Sequence, residues 1–142
     1  VIGYDWDEER YYVLDEYFDA EKTTEQHAKE IQLLINKWDI DYIYIDAAAA
    51  QTRYDFAQQY DISTINAKKS ILDGIAHVAG IVDNDRMEVD QNCVEVMASL
   101  DQYQWDPNPN LAKEKPKHNR ASHMADAIRY ALYSFETAST GF

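Results

Sequence analysis

Between Asp39 and Asp46 the chain reads DIDYIYID, and this run restricts the possible folds more than any other. In an extended strand, successive side chains point to opposite faces. Ile43 and Ile45 therefore share one face, and Tyr42 and Tyr44 share the other. A strand that is apolar or aromatic on both faces must be covered on both sides, as in the interior of a layered α/β sheet. The flanking sequence supplies the covers. Upstream, Thr23 or Thr24 offers an N-cap with Glu25 and Gln26 behind it, and Ala28, Ile31, Leu34, Ile35 and Trp38 then recur at helical spacing. Downstream, QTRYDFAQQY reads as a short helix.

The remaining elements extend this pattern. Val1 to Gly3 reads as the tail of a strand, YDWDEER as a polar turn, and YYVLDEYF (Tyr11 to Phe18) as the strand returning at hairpin distance. ISTINA predicts a brief strand ending at Lys68. SILDGIAHVAGIV predicts a helix with Ile71, Ile75, Val78 and Val82 on its apolar face. RMEVD is a short strand or extended link, and CVEVMASLDQYQW a further helix. DPNPNLAKEKPKHN (Asp106 to Asn119) carries Pro107, Pro109 and Pro116 without periodicity and reads as a loop. The last helix is expected from about Ser122 to Phe135, packing Ala125, Ile128, Leu132 and Phe135. The expected fold is a mixed α/β sheet, an antiparallel hairpin leading into parallel strands, flanked by helices.

The 142 residues suffice for one domain with a real core. No apolar run approaches the roughly 20 residues of a bilayer span, and no signal-peptide pattern opens the chain, so a cytosolic protein without membrane contact is expected. Cys93 is the only cysteine and reads as packing. The formal net charge of -13 argues against an extended nucleic-acid surface, because phosphate contacts need Lys and Arg. Yet the charge is uneven. Acids crowd the first half, from Asp5 to Glu21, whereas Lys113, Lys115, Lys117, His118, Arg120 and Arg129 gather late and Lys68 and Lys69 form a smaller group. An acidic body with local basic patches suits a nuclease that borrows most of its DNA affinity from a neighbouring domain, and equally an acidic enzyme of another kind.

Asp46 ends the central strand, and ligands of open α/β sheets sit outside the carboxyl ends of the strands. The four alanines after it leave room for a metal ion and a phosphodiester, and equally suit close packing of a helix on the sheet. The same position is also open to a helix N-cap. In HNRASHMADAIRYALYSF, His123 and Asp126 are separated by three residues and share a helix face, where a carboxylate could meet Asp46. Arg129, three further along, can hold the Asp126 carboxylate or touch phosphate. Lys68 and Lys69 precede a helix start, a place that favours anions. A solvated surface is the commoner explanation of these helix-face and lysine positions.

Three pieces, the strand-end acid Asp46, the AKKSILDGI block (Ala67 to Ile75) and the H-x-x-D-A-x-R-Y-A block (His123 to Ala131), stand in an order and spacing that runs through nearly the whole chain. Together they resemble the C-terminal nuclease domain of the large terminase subunit of tailed bacteriophages and prophages, a ribonuclease-H-like nuclease. The resemblance implies a metal-dependent DNA endonuclease that cleaves concatemeric viral DNA during packaging in the host cytoplasm. It implies Asp46 and Asp126 as catalytic metal ligands for Mg²⁺ or Mn²⁺, as a pair of ions, with His123 beside them. It implies double-stranded DNA as the substrate, and the basic residues Lys68, Lys69, Lys113, Lys115, Lys117, Arg120 and Arg129, by their own position and charge, are expected to contact it. The ATPase domain, small terminase subunit and portal are the implied partners.

The family's first acid sits on a first strand in a G-x-D-x-G context. Counted back from the first helix, YYVLDEYF matches the third strand and VIG the end of the second. Asp5 then falls in the turn between them. The first strand is expected to be absent from residues 1–142, which would form a single nuclease domain with a gap in mid-sheet, and no Walker A pattern marks an ATPase domain. Two other functions remain open: a non-catalytic docking domain of the packaging motor, and another ribonuclease-H-like nuclease such as a resolvase.

Overall fold

The computed structural model describes residues 1–103 and 116–139. Lys113 and Lys115, with most of the expected Pro-containing loop, lie outside the described residues. The elements run β1 (Ile2–Asp5), β2 (Arg10–Val13), α1 (Thr24–Trp38), β3 (Tyr44–Ile45), α2 (Ala50–Gln59), β4 (Ile65–Asn66), α3 (Ile71–Asp83), β5 (Met87–Val89), α4 (Val94–Gln102) and α5 (Arg120–Ser139). No helix among the described residues is long and apolar enough to cross a membrane.

The sheet comes in two parts, β1-β2-β5 and β3-β4. β1 pairs antiparallel with β2, which pairs parallel with β5, and β3 pairs parallel with β4. Among the described residues β1 and β3 each have a strand on one side only. Both open edges approach one ring. The Phe135 centroid lies 5.4 Å from that of Tyr4 on β1 and 6.4 Å from that of Tyr42 before β3, with Trp6 at 5.8 Å. Both sequence-predicted strands are shorter than expected because ladders define them. Register with β1 and β5 ends at Val13, and β3 pairs on one side only, so the Tyr11–Phe18 and Asp39–Asp46 runs shrink to Arg10–Val13 and Tyr44–Ile45.

Two cores hold the layers. Tyr11, Val13, Ile81, Cys93, Val96, Met124, Ile128 and Leu132 form the larger, between the three-stranded sheet and α3, α4 and α5. Ala28, Phe56 and Ile62 form the smaller, with Ile31, Ile35, Ile43 and Ile45 against them. Ile43, just before β3, and Ile45 within it thus face α1 and α2, as their alternation requires. Thr23 caps α1 by a capping box, its Oγ1 accepting from Gln26 N at 3.2 Å while Gln26 Oε1 accepts from Thr23 N at 2.9 Å. The N-terminal amides of α4 are satisfied from a distance, with Glu95 N and Val96 N both donating to the Glu16 carboxylate.

One face differs from expectation. On α3, Gly74 and Ile81 are buried, whereas Ile71 and Val82 are 38% and 46% exposed. The cause is α5. A Cβ on Gly74 would stand 2.9 Å from Arg129 Cδ, so the two helices meet where α3 has no side chain, and this turns Ile71 and Val82 outward.

Candidate active site

Asp46 lies just past β3, and its environment decides between capping and chemistry. Its Oδ1 accepts from Ala48 N at 2.9 Å, but α2 starts later, with Ala49 at the cap position making no side-chain cap bond. Asp46 therefore braces the turn without capping the helix. The same Oδ1 meets Lys69 Nζ at 2.7 Å. This ammonium, then the Ala48 amide, holds the Asp46 carboxyl below the usual carboxylate range, and the pairing raises Lys69 in turn. Asp46 is 38% exposed, open to a ligand.

Asp126 sits on α5, one turn from Arg129. Arg129 is only 5% exposed. Its Nη2 donates to Asp126 Oδ1 at 3.1 Å, and its Nη1 donates to the carbonyls of Lys69 at 3.1 Å and Ser70 at 2.9 Å. Of the two roles its spacing allowed, the structure shows the first: both terminal nitrogens of this buried guanidinium go to internal acceptors, so the expected phosphate contact is corrected to a positioning role. A chain of contacts then runs from Asp46 through the Lys69 side chain and backbone to Arg129 and Asp126. Tyr130, four residues beyond Asp126, lies near both acids. Burial first, then the charges of Asp46 and Asp126, raise its hydroxyl above the ordinary tyrosine value. Burial and Asp126 push Tyr103 up to about 12.

His123 is exposed on α5, its ring edge-on to His118 with centroids 5.0 Å apart. Lys68 Nζ donates to Thr137 Oγ1 at 2.8 Å, and its backbone N–H donates to Ser134 Oγ. Lys117 is exposed. Arg120 pairs with Glu95 at 2.6 Å and lies over the Phe18 ring. Asp5 does not fall in the turn, as the strand count expects, but ends β1 opposite Arg10, because the ladder with β2 runs on past Gly3; its Oδ1 accepts from the amides of Asp7 and Glu8 in the hairpin turn that follows.

Mg²⁺ and Mn²⁺ take oxygen ligands, and Mg²⁺ is commonly held by one or two carboxylates plus water and substrate oxygens. Asp46 and Asp126 fit that donor chemistry, and the Lys69 ammonium already stands against Asp46 as a cation would. Among the described residues no group of three His, Cys, Asp or Glu side chains could hold an ion. Sequence reasoning missed Tyr130, Tyr103 and the Gly74 contact. Tyr130 alone carried a signal, its spacing of four from Asp126.

Parallel and antiparallel pairing packed on helices, with one acid just past β3 and a second on α5, make this a mixed α/β domain with two acids linked across its elements. Residues 1–135 match the family described as "Terminase RNaseH-like domain". Over 137 residues, 94% of this chain and 31% of the relative, the sequence is 43% identical to the large terminase subunit of Escherichia phage T5. The large terminase of a thermophilic bacteriophage, solved in complex with ADP, is similar at TM-score 0.78 and 25% identity, over 88% of this chain and 33% of that one. The nuclease domain of the bacteriophage SPP1 large terminase, solved with bound Mn, superimposes at TM-score 0.68 and 20% identity over 96% of this chain and 76% of that one, a likeness of fold. The chain belongs to the terminase RNaseH-like domain family, and spans about a third of the phage T5 relative it matches.

Proposed function

We propose that this chain is the DNA-cutting domain of a phage large terminase, a metal-dependent endodeoxyribonuclease acting on double-stranded concatemeric DNA during packaging in the host cytoplasm. The observation that carries the reading is the contact chain from Asp46 through Lys69 and Arg129 to Asp126, which ties a strand-end acid to a helix acid. Asp46 and Asp126 would hold Mg²⁺ or Mn²⁺, while the expected third member, His123, stands against His118 and joins them in no ligand group of three among the described residues. Held there, such ions would supply activation of a water and stabilisation of the leaving oxygen of a phosphodiester. The chain's own contribution is orientation: Arg129 fixes the Asp126 carboxylate, the Ala48 amide fixes Asp46, and Tyr130 lies in the field of both. Lys68, Lys117 and Arg120, with Lys113 and Lys115, would meet backbone phosphates without reading sequence. The ATPase domain, small terminase subunit and portal are the proposed partners.

Among the described residues no strand pairs with the free sides of β1 and β3, which supports reading a further strand, carrying the family's first acid, between them. On this reading residues 1–142 alone nick plasmid DNA feebly or not at all with Mn²⁺, and a longer chain that includes that strand cuts with little sequence preference. Plasmid cleavage by the two chains is the test. Equal, strong cutting by the short chain, abolished by Asp5→Asn, would mean that Asp5 is the first acid and that the strand assignment is wrong. No cutting by either chain, with DNA binding intact, would favour a docking domain.

A further inference from the structure

Resting on that reading of Asp46 as a metal ligand, we propose that Lys69 is a built-in counter-cation which a divalent ion must displace from Asp46. The ammonium touches Oδ1 at 2.7 Å, the oxygen that also accepts the Ala48 amide, so a metal approaching this oxygen meets a cation already in contact. The backbone of Lys69 is fixed on both sides. Lys68 N donates to Ser134 Oγ at 2.8 Å, and Arg129 donates to the carbonyls of Lys69 and Ser70. The side chain remains free to leave, being 44% exposed and making its contact at its tip.

Displacement moves no covalent bond. The ammonium keeps its proton and swings off, and a dication takes its place on the carboxylate. Because the Lys69 carbonyl and Asp126 share Arg129, the lysine is anchored between the two acids while its head exchanges. An ion pair this exposed is weak, which suits a latch that has to open. Between metal-binding events it offsets the charge that Asp46 would otherwise present to Asp126 and to DNA phosphate.

The competing role for Lys69 is to position Asp46 for the metal, and the two roles differ in sign. Mn²⁺ titrations of residues 1–142, read by paramagnetic broadening of the backbone amides of residues 44–48 and 126–130 and by the EPR signal of free Mn²⁺, separate them. Lys69→Met is expected to tighten Mn²⁺ binding two- to fivefold, or to reveal binding that the parent protein does not show. Lys68→Met makes the same charge change one residue away, where the ammonium bonds Thr137, and corrects for the general field. Affinity unchanged or weakened by Lys69→Met, relative to Lys68→Met, overturns the latch. If Asp46→Asn still weakens Mn²⁺ binding in that case, the metal reading stands without it. If Asp46→Asn leaves Mn²⁺ binding unchanged, or if neither the parent nor Lys69→Met broadens these amides, the metal reading fails and takes the latch with it.

Discussion

Replacing Arg129 with Met tests whether the contact chain is a built structure. Met roughly preserves the buried stem and removes three donated hydrogen bonds, to the carbonyls of Lys69 and Ser70 and to Asp126 Oδ1. A hydrogen bond from a charged donor contributes about 1.5–3 kcal/mol, and an acceptor left buried costs about 1–3 kcal/mol. Against this stands the desolvation of the guanidinium, which is 5% exposed and whose loss is partly a gain. Asp126, however, keeps its charge at 30% exposure and loses its partner. The net expectation is a loss of about 2–3 kcal/mol. With a urea m-value of about 2 kcal/mol/M, the midpoint falls by roughly 1–1.5 M. Adding Asp126→Asn should cost less on top of Arg129→Met than it does alone, by about 0.5–1.5 kcal/mol of coupling. Equilibrium urea unfolding of the four proteins of this cycle is the assay. A single-mutant loss below about 0.5 kcal/mol, or additive effects, would refute the account of Arg129 as the group that holds Asp126.

Gly74→Ala should destabilise by about 1–3 kcal/mol in thermal or urea melts, although alanine gains about 1 kcal/mol in helix propensity, because its Cβ meets an Arg129 stem whose head is pinned. Burial raises the Glu136 carboxyl, but the Tyr11 hydroxyl at 2.5 Å and Arg86 at 3.2 Å outweigh it and hold it below the ordinary 4.5. Its contribution to stability is therefore complete above about pH 4.5 and lost as pH falls through the lowered value, so Glu136→Gln should flatten the acid side of the stability profile. Alanine at Lys113, Lys115, Lys117 and Arg120 together should weaken DNA binding evenly across sequences and flatten its salt dependence, as read by fluorescence anisotropy. In a longer chain that cuts, Asp46→Asn or Asp126→Asn should abolish cleavage with circular dichroism unchanged, while Asp5→Asn cuts normally.

Local signals in the sequence were reliable where the neighbours of a residue in the chain decide its fate. The Thr23–Gln26 capping box, the Ile43 and Ile45 face and the buried stripe of α5 at Ala125, Ile128 and Leu132 all follow from spacing alone. Strand ends were not legible, because a strand stops where its partner does, as at Val13. Nor was the orientation of α3, which depends on a distant arginine fitting against Gly74. The candidate site divides the same way. Asp46 and Asp126 stand out by position, and Arg129 by its spacing from Asp126. The Asp46–Lys69 pair forms only when separate elements come together, which no periodicity records.

The central claim is that Asp46 and Asp126 form one metal-binding end of the domain. Crystals of the protein equilibrated with Mn²⁺, with data collected at the manganese absorption edge, test it most directly. The account predicts anomalous density within bonding distance of carboxylate oxygens of both Asp46 and Asp126, with the Lys69 ammonium moved off Asp46. Density bound elsewhere, or carboxylates too far apart to serve a common metal site, would contradict it.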